Sequence, residues 1–260
     1  MSYSPRDSMS TSVRAFSEEP RFFADVGALL GRIGACRNEM ELVAILRQTA
    51  RRLGADSAFF VSFVREDALF ESYEFLLACD PLWALEYEQL GCFAEDPWLA
   101  YSRSHTEPVR GKEIVSSTRG ASSALGLAER YGFRSTVVIP APAGSGSSRL
   151  GMLVLGSKAI DFLEGDDYVP VKVLSRSLAM ELNGRLGELL GREILLSGHL
   201  TATDLLLLAY AREGLPTKSI VREVGLSAEA IDTRFRRMNT NLRTPNRKAA
   251  AKLASDFGLI

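Results

Sequence analysis

Apolar residues recur at helical spacing over residues 22–53 (Val26, Leu29, Leu30, Ile33, then Leu42, Val43, Leu46, Leu53). A break near 34–38 divides them, which predicts two helices. The pattern then shortens. Ser57–Val64 (SAFFVSFV) is aromatic and β-branched, and 70–77 follow a charged turn, so two paired strands are expected. Pro81 opens a helix at its first position, where a missing N–H costs nothing, and places Trp83 and Tyr87 four residues apart on one face. Asp96 and Pro97 supply the N-cap and first residue of another helix. A third helix is expected over 122–131, stopping at Gly132. Residues 135–140 and 150–157 read as strands joined by a hairpin turn. The GSGSS stretch between them is followed by neither a lysine nor a helix, so it is not a phosphate cradle. The periodic run 166–190 (Val169, Val173, Leu174, Leu178, Leu182, Leu186, Leu189, Leu190) is one long helix, with 191–199 as a linker behind it. This order fits an α+β fold: an α/β/α sandwich with a mainly antiparallel sheet.

Beyond the linker the pattern is wholly helical. Thr201 and Asp204 have capping-box spacing, and Gly214 sits where that helix would stop. A short helix over 217–224, for which Thr217 can act as cap, leads through Gly225 and Leu226 to Ser227, the N-cap of a third helix running to about Leu242. A small all-α helix-turn-helix domain over 200–260 is the expectation. On its third helix Ile231, Phe235, Met238 and Leu242 form a buried stripe, which turns Glu229, Thr233, Arg236, Arg237 and Thr240 outward.

Charge sharpens this division. The whole chain sums to −1, yet residues 200–260 carry 10 Lys and Arg against 6 Asp and Glu, a net of +4, leaving −5 on the remaining 199 residues. A basic tail behind an acidic front suggests that only the tail meets nucleic acid. An exposed helix with Thr233 and two arginines, starting right after a turn, suits the major groove of double-stranded DNA. Arg236 and Arg237 would meet guanine edges or phosphates, and Lys218, Arg234, Arg243, Arg247 and Lys248 would clamp phosphates.

Composition removes other classes. The chain has 260 residues, 46% hydrophobic and 24% charged, enough for one large or two small cores and unlike collagen or a disordered chain. Its longest apolar run, 205–211, is 7 residues where a bilayer span needs about 20, so no membrane association is expected. Residues 1–20 are polar and Ser-rich without the features of a secretory signal; they read as a flexible arm of a cytoplasmic protein. Cys36, Cys79 and Cys92 are odd in number and lack CxxC spacing, so buried free thiols are expected rather than disulfides or a metal site. There is no GxSxG and no HxxH, and neither of the two histidines, His105 and His199, is expected to serve a catalytic nucleophile. An enzyme is not expected.

The spacing of 200–260 resembles the DNA-binding domain of LuxR-type transcriptional regulators. Leu200, Thr201, Asp204, Gly214, Ile220, Leu226, Ser227, Ile231, Leu242, Asn246, Arg247 and the closing Gly258, Leu259 and Ile260 fall in register without a gap. Departures include Tyr210 for the usual Trp, Leu215 and Pro216 for Lys-Thr, Ser219 for Glu and Arg234 for His. Over 21–190 the front resembles that family's domain for N-acyl homoserine lactones, because Trp83, Tyr87, Asp96 and Pro97 stand as W-x3-Y-x8-DP. The resemblance implies that the Trp83 indole N–H bonds the lactone carbonyl, the Asp96 carboxylate accepts the amide N–H, and the Tyr87 hydroxyl bonds the acyl carbonyl. The family's second Trp falls on Gly111 here and a usual Gly on Thr136, with Trp98 placed to refill the space. A homodimer with the long helix as its seam, an inverted-repeat operator, contact with RNA polymerase and a small hydrophobic signal in place of a cofactor are also implied. The alternative is an orphan regulator that binds no acyl-homoserine lactone and acts ligand-independently or in mixed dimers with a related receptor.

Overall fold

The computed structural model describes residues 19–65, 72–116, 118–142, 149–162 and 165–260. Helices α1 (Phe22–Leu30) and α2 (Glu39–Arg52) precede strands β1 (Ser57–Val64) and β2 (Glu74–Leu77). Then come α3 (Leu82–Gln89), α4 (Pro97–Ser104), the two-residue β3 (Val109–Arg110), α5 (Arg119–Arg130), β4 (Ser135–Ala141) and β5 (Arg149–Ser157). Five helices close the chain: α6 (Tyr168–Ser197), α7 (Ala202–Arg212), α8 (Thr217–Val224), α9 (Ala228–Asn241) and α10 (Arg247–Asp256).

The sheet has the order β2-β1-β5-β4-β3, every neighbour antiparallel. Register carries a single row across it: Leu77, Phe59, Val154, Val138 and Val109 lie opposite one another in turn. Residues paired in this way share a face, and their neighbours along each strand take the other. The first row packs under α3, α4 and α5; the adjacent row, Leu76, Phe60, Leu153 and Ile139, packs against α1, α2 and α6. Both faces are covered, which is why β1 and β5 read as continuous apolar runs rather than alternating ones. The expected α/β/α sandwich with an antiparallel sheet is present, with α7–α10 building a separate helical core around Leu207, Leu208, Ile220, Ile231, Phe235 and Met238.

Several local expectations change. The long helix does not stop at Leu190 but runs on to Ser197, so most of 191–199 is helical rather than linker. Gly191 is part of a docking surface: a Cβ there would stand 3.1 Å from the Phe257 carbonyl oxygen and 3.3 Å from Leu259. The Phe257 ring also lies 4.4 Å from the Arg149 guanidinium of β5, so the chain's end packs on the sandwich. Thr217 does not cap α8. Its N-cap is Pro216, which offers no side-chain acceptor, and Thr217 Oγ1 accepts instead from Arg247 Nη1 at 3.2 Å. The strand expected over 70–77 is formed by Glu74–Leu77, while residues 70 and 71 lie outside the described residues, as do 1–18 and the GSGSS stretch. α5 begins earlier than expected because Thr118 caps it through Ala121 N. Cys36 and Cys92 are buried, but Cys79 is only half-buried.

Candidate ligand and DNA sites

The α3 helix turns Trp83 and Tyr87 inward, both buried against the first row of the sheet. Trp83 stacks on Phe59 with ring centroids 4.5 Å apart, and Tyr87 packs beside it at 5.0 Å. The Asp96 carboxylate is fixed by its own helix: Oδ1 accepts from Trp98 N at 2.7 Å and Leu99 N at 3.3 Å, the N-cap expected of an Asp-Pro start. Its other oxygen accepts from the Tyr87 hydroxyl. Burial pushes the Asp96 carboxyl up from its ordinary value, against the pull of the Tyr87 and backbone bonds. Burial, with the Asp96 charge second, holds the Tyr87 phenol well above its ordinary range. Three residues spread over 13 positions of sequence thus meet in one apolar core.

Two donors in this core have no acceptor. The indole Nε1 atoms of Trp83 (1% exposed) and Trp98 (3% exposed) are buried without a hydrogen-bond partner among the described residues. An unmet buried donor costs about 1–3 kcal/mol. Both rings lie near Phe59 and Phe133, Trp98 at 6.3 Å from each. The core therefore offers one carboxylate acceptor and donors from two indoles and a phenol, the set that a buried amide with carbonyl groups would use.

Sequence departures at three separate positions converge in space. A Cβ on Gly111 would fall 2.0 Å from Thr136 Oγ1 and 3.6 Å from Trp98 Nε1. Where the related pattern has a large residue at 111 and none at 136, this chain has the reverse, and Trp98 fills in from the side. Beside them opens a pocket of about 240 Å³ lined by Trp98, Gly111, Phe133 and Thr136, with Arg110, Lys112, Arg134 and Glu129 among its charged members. Phe59, Phe133 and Arg134 were not foreseen as site residues. The apolar run 57–64 does not alternate, so nothing local assigns Phe59 to this face or marks the others.

At the other end, Ser227 caps α9 through Ala230 N, and Ile231, Phe235 and Met238 are buried on its inner side. Thr233, Arg236, Arg237 and Thr240 face solvent, as do Lys218, Arg243 and Lys248. The arginines divide into two groups. Asp204, fully buried, accepts from Thr201 N at 2.9 Å and Thr201 Oγ1 at 2.7 Å, closing the capping box. It also accepts from Arg234 Nη1 at 2.9 Å and Arg237 Nη2 at 2.5 Å. Arg236 makes no ion pair among the described residues, whereas Arg234 and Arg237 are held against the helix by Asp204, and Arg247 is bonded to Thr217. Sequence spacing did not reveal that Asp204 has this second role.

Among the described residues no single helix is long and apolar enough to cross a membrane, and no three His, Cys, Asp or Glu side chains are grouped to hold a metal. No curated protein matches the chain in sequence. Among solved structures, Escherichia coli SdiA superposes with a TM-score of 0.71 at 17% identity, covering 92% of this chain and 99% of that one. SdiA in complex with octanoyl-rac-glycerol gives 0.68 at 17% identity, covering 93% and 98%. The N-acylhomoserine lactone dependent LuxR family factor CepR2 from Burkholderia cenocepacia gives 0.54 at 16%, covering 64% and 99%. At these identities the likeness is one of fold. The autoinducer binding domain profile matches residues 38–183, more than half of the sequence and all of the Trp83–Tyr87–Asp96 constellation. The chain belongs to the autoinducer-binding domain family, that of LuxR-type quorum-sensing regulators, which bind signals and are not enzymes.

Proposed function

We propose that the chain is a cytoplasmic transcriptional regulator that binds an acylated, amide-bearing amphiphile in its sandwich and double-stranded DNA through α9. The observation that carries this reading is the pair of buried, unpartnered indole N–H groups beside a buried carboxylate, in the same chain as an exposed arginine-bearing helix behind a capped turn. The Trp83 N–H and Tyr87 O–H would donate to ligand carbonyls, and Asp96 would accept the amide N–H, with Tyr87 leaving its present bond to the carboxylate. Thr233 and Arg236 would reach base edges; Lys218, Arg243, Arg247 and Lys248 would meet phosphates, and Arg234 and Arg237 would do so from their Asp204 anchor. A homodimer through the exposed side of α6, where Val169, Val173 and Met180 lie, would match an inverted-repeat operator and present the regulator to RNA polymerase.

Ligand would act through linkage. A compound bound only by the folded form stabilises it by about 2.7 kcal/mol at a hundredfold excess over Kd. The test is thermal unfolding and duplex binding with and without a panel of N-acyl homoserine lactones and their open acids, run on the wild type and Asp96→Asn. Asparagine caps a helix as well as aspartate does. The variant should therefore keep its melting point within about 2 °C while losing the ligand response. A response retained in full by the variant overturns the site.

A second reading has its own support. Tyr87 already occupies the Asp96 oxygen that an amide would need, and the Thr136 hydroxyl fills space next to Gly111. These favour an orphan regulator that acts without acyl-homoserine lactone, alone or in mixed dimers with a related receptor. No ligand response together with unchanged duplex binding would select it.

A further inference from the structure

We infer that Asp232 also reads a base, selecting cytosine in each operator half-site one or two base pairs from the base met by Arg236. The inference rests on the DNA-binding reading above. Asp232 is exposed on α9 and makes no hydrogen bond or ion pair among the described residues. Arg236 follows it by four positions, a spacing at which an acid and a base share a helix face and commonly pair, yet these two stay apart. Arg234 and Arg237 take their counter-charge from Asp204, at 2.9 Å and 2.5 Å, so Asp232 is not needed as theirs. Nor does the helix terminus account for it. Glu229 lies in the first turn, where the exposed N–H groups favour an acid, but Asp232 lies beyond that turn.

The chemistry of a carboxylate then selects the base. It offers acceptors only. In the major groove guanine presents O6 and N7 and thymine O4, all acceptors that repel it, and adenine sets its N7 acceptor beside its N6 amino group. Cytosine presents its N4 amino group with no acceptor alongside, so it is the base that Asp232 favours, as guanine is for Arg236. Side chains four positions apart on a helix stand about 5–6 Å from each other and base pairs stack about 3.4 Å apart, which gives the offset of one or two pairs. The same carboxylate repels phosphates, so it weakens binding to every duplex that does not bring the donor to it. Attraction at one base and repulsion elsewhere both widen the gap between the operator and other DNA.

The test selects duplexes from a random pool with the full chain, as wild type, Asp232→Ala, Asp232→Asn and Glu229→Ala. Affinities are then measured for the duplex that wild type selects and for a scrambled version of it. Wild type should fix a cytosine at one position of each half-site, and Asp232→Ala should relax that position alone. Asp232→Ala should also bind the scrambled duplex about two- to fivefold tighter and cut the ratio of selected to scrambled affinity about tenfold. Asp232→Asn should move the preference there to adenine, whose N6 and N7 an amide side chain meets together. Glu229→Ala removes an equal charge from the same helix and should tighten both duplexes alike while the cytosine stays selected. A wild type that selects a sequence without the fixed cytosine, or an Asp232→Ala variant that keeps it or changes both affinities by one factor, overturns the inference and leaves the DNA-binding reading standing. A wild type that selects no sequence overturns both.

Discussion

The Asp204 anchor can be tested by removing one charge. Asp204→Asn preserves volume but replaces one of two acceptor oxygens with a donor, where the present carboxylate meets Thr201 N, Thr201 Oγ1, Arg234 and Arg237. Breaking a fully buried ion pair from one side costs about 3–5 kcal/mol. Here the arginine side chains are 31% and 44% exposed and can rehydrate, so each lost contact is worth nearer ~0.5–1 kcal/mol. The damaged capping box adds about 1 kcal/mol. The total, about 2–3 kcal/mol, should lower the melting point of the helical domain by about 10–20 °C.

Both tryptophans lie in the sandwich, so their fluorescence follows that unit while scanning calorimetry registers both. The calorimetric transition of α7–α10 should move, and the fluorescence transition should not. Sign matters for the pH dependence. Although burial opposes it, the bonds from Thr201 and Arg234 and the Arg237 charge hold the Asp204 carboxyl below its ordinary value. Its contribution is therefore complete above the unfolded value near ~4 and is lost as pH falls through the lower folded value. The gap between wild type and variant should be full at pH 7 and close in stronger acid. A shift under about 3 °C at pH 7, or a gap that widens on acidification, refutes the anchoring argument.

Other outcomes follow from single contacts. Gly111→Trp forces a Cβ to 2.0 Å from Thr136 Oγ1 and should destabilise by about 1–3 kcal/mol, while adding Thr136→Gly should recover at least half of the melting point; additive effects would mean that the two positions do not share space. Phe257→Ala removes the ring from Arg149 and should speed proteolysis at 198–200 severalfold through loss of about 1 kcal/mol of docking, with unchanged cleavage as the contrary result. Burial pushes the Cys79 thiol up to about 12 and raises Cys36 and Cys92 as well, so alkylation at pH 8 should be slow on the native protein and reach all three thiols only after denaturation.

Elements marked by local caps were legible in the sequence. Ser227, Thr201 with Asp204, and Asp96 with Pro97 each fix a helix start by a bond spanning two or three residues, and those starts stand where expected. What sequence did not convey depends on distant partners. Gly191 looks like a helix stop, yet it lies inside α6, and its missing side chain leaves room for the chain's end. Thr217 looks like a cap, but its hydroxyl is taken by Arg247, 30 residues away. Helix α10 escaped notice because its inward residues, Ala250, Ala251 and Ala254, are too small to draw an apolar stripe. At the candidate site, the spacing of Trp83, Tyr87 and Asp96 marked three residues that do meet in one core, whereas the mutual fit of Trp98, Gly111 and Thr136 exists only once α4, the segment after β3, and β4 are side by side.

The most direct measurement of the account is the salt-dependent affinity of the full chain for a duplex selected from a random pool, compared with that of Arg236→Ala. A base-reading arginine predicts retention of a defined inverted repeat, a loss of about 1–3 kcal/mol in the variant, and relaxed preference at one position of each half-site. A chain that selects no sequence and retards no duplex at low salt contradicts the account.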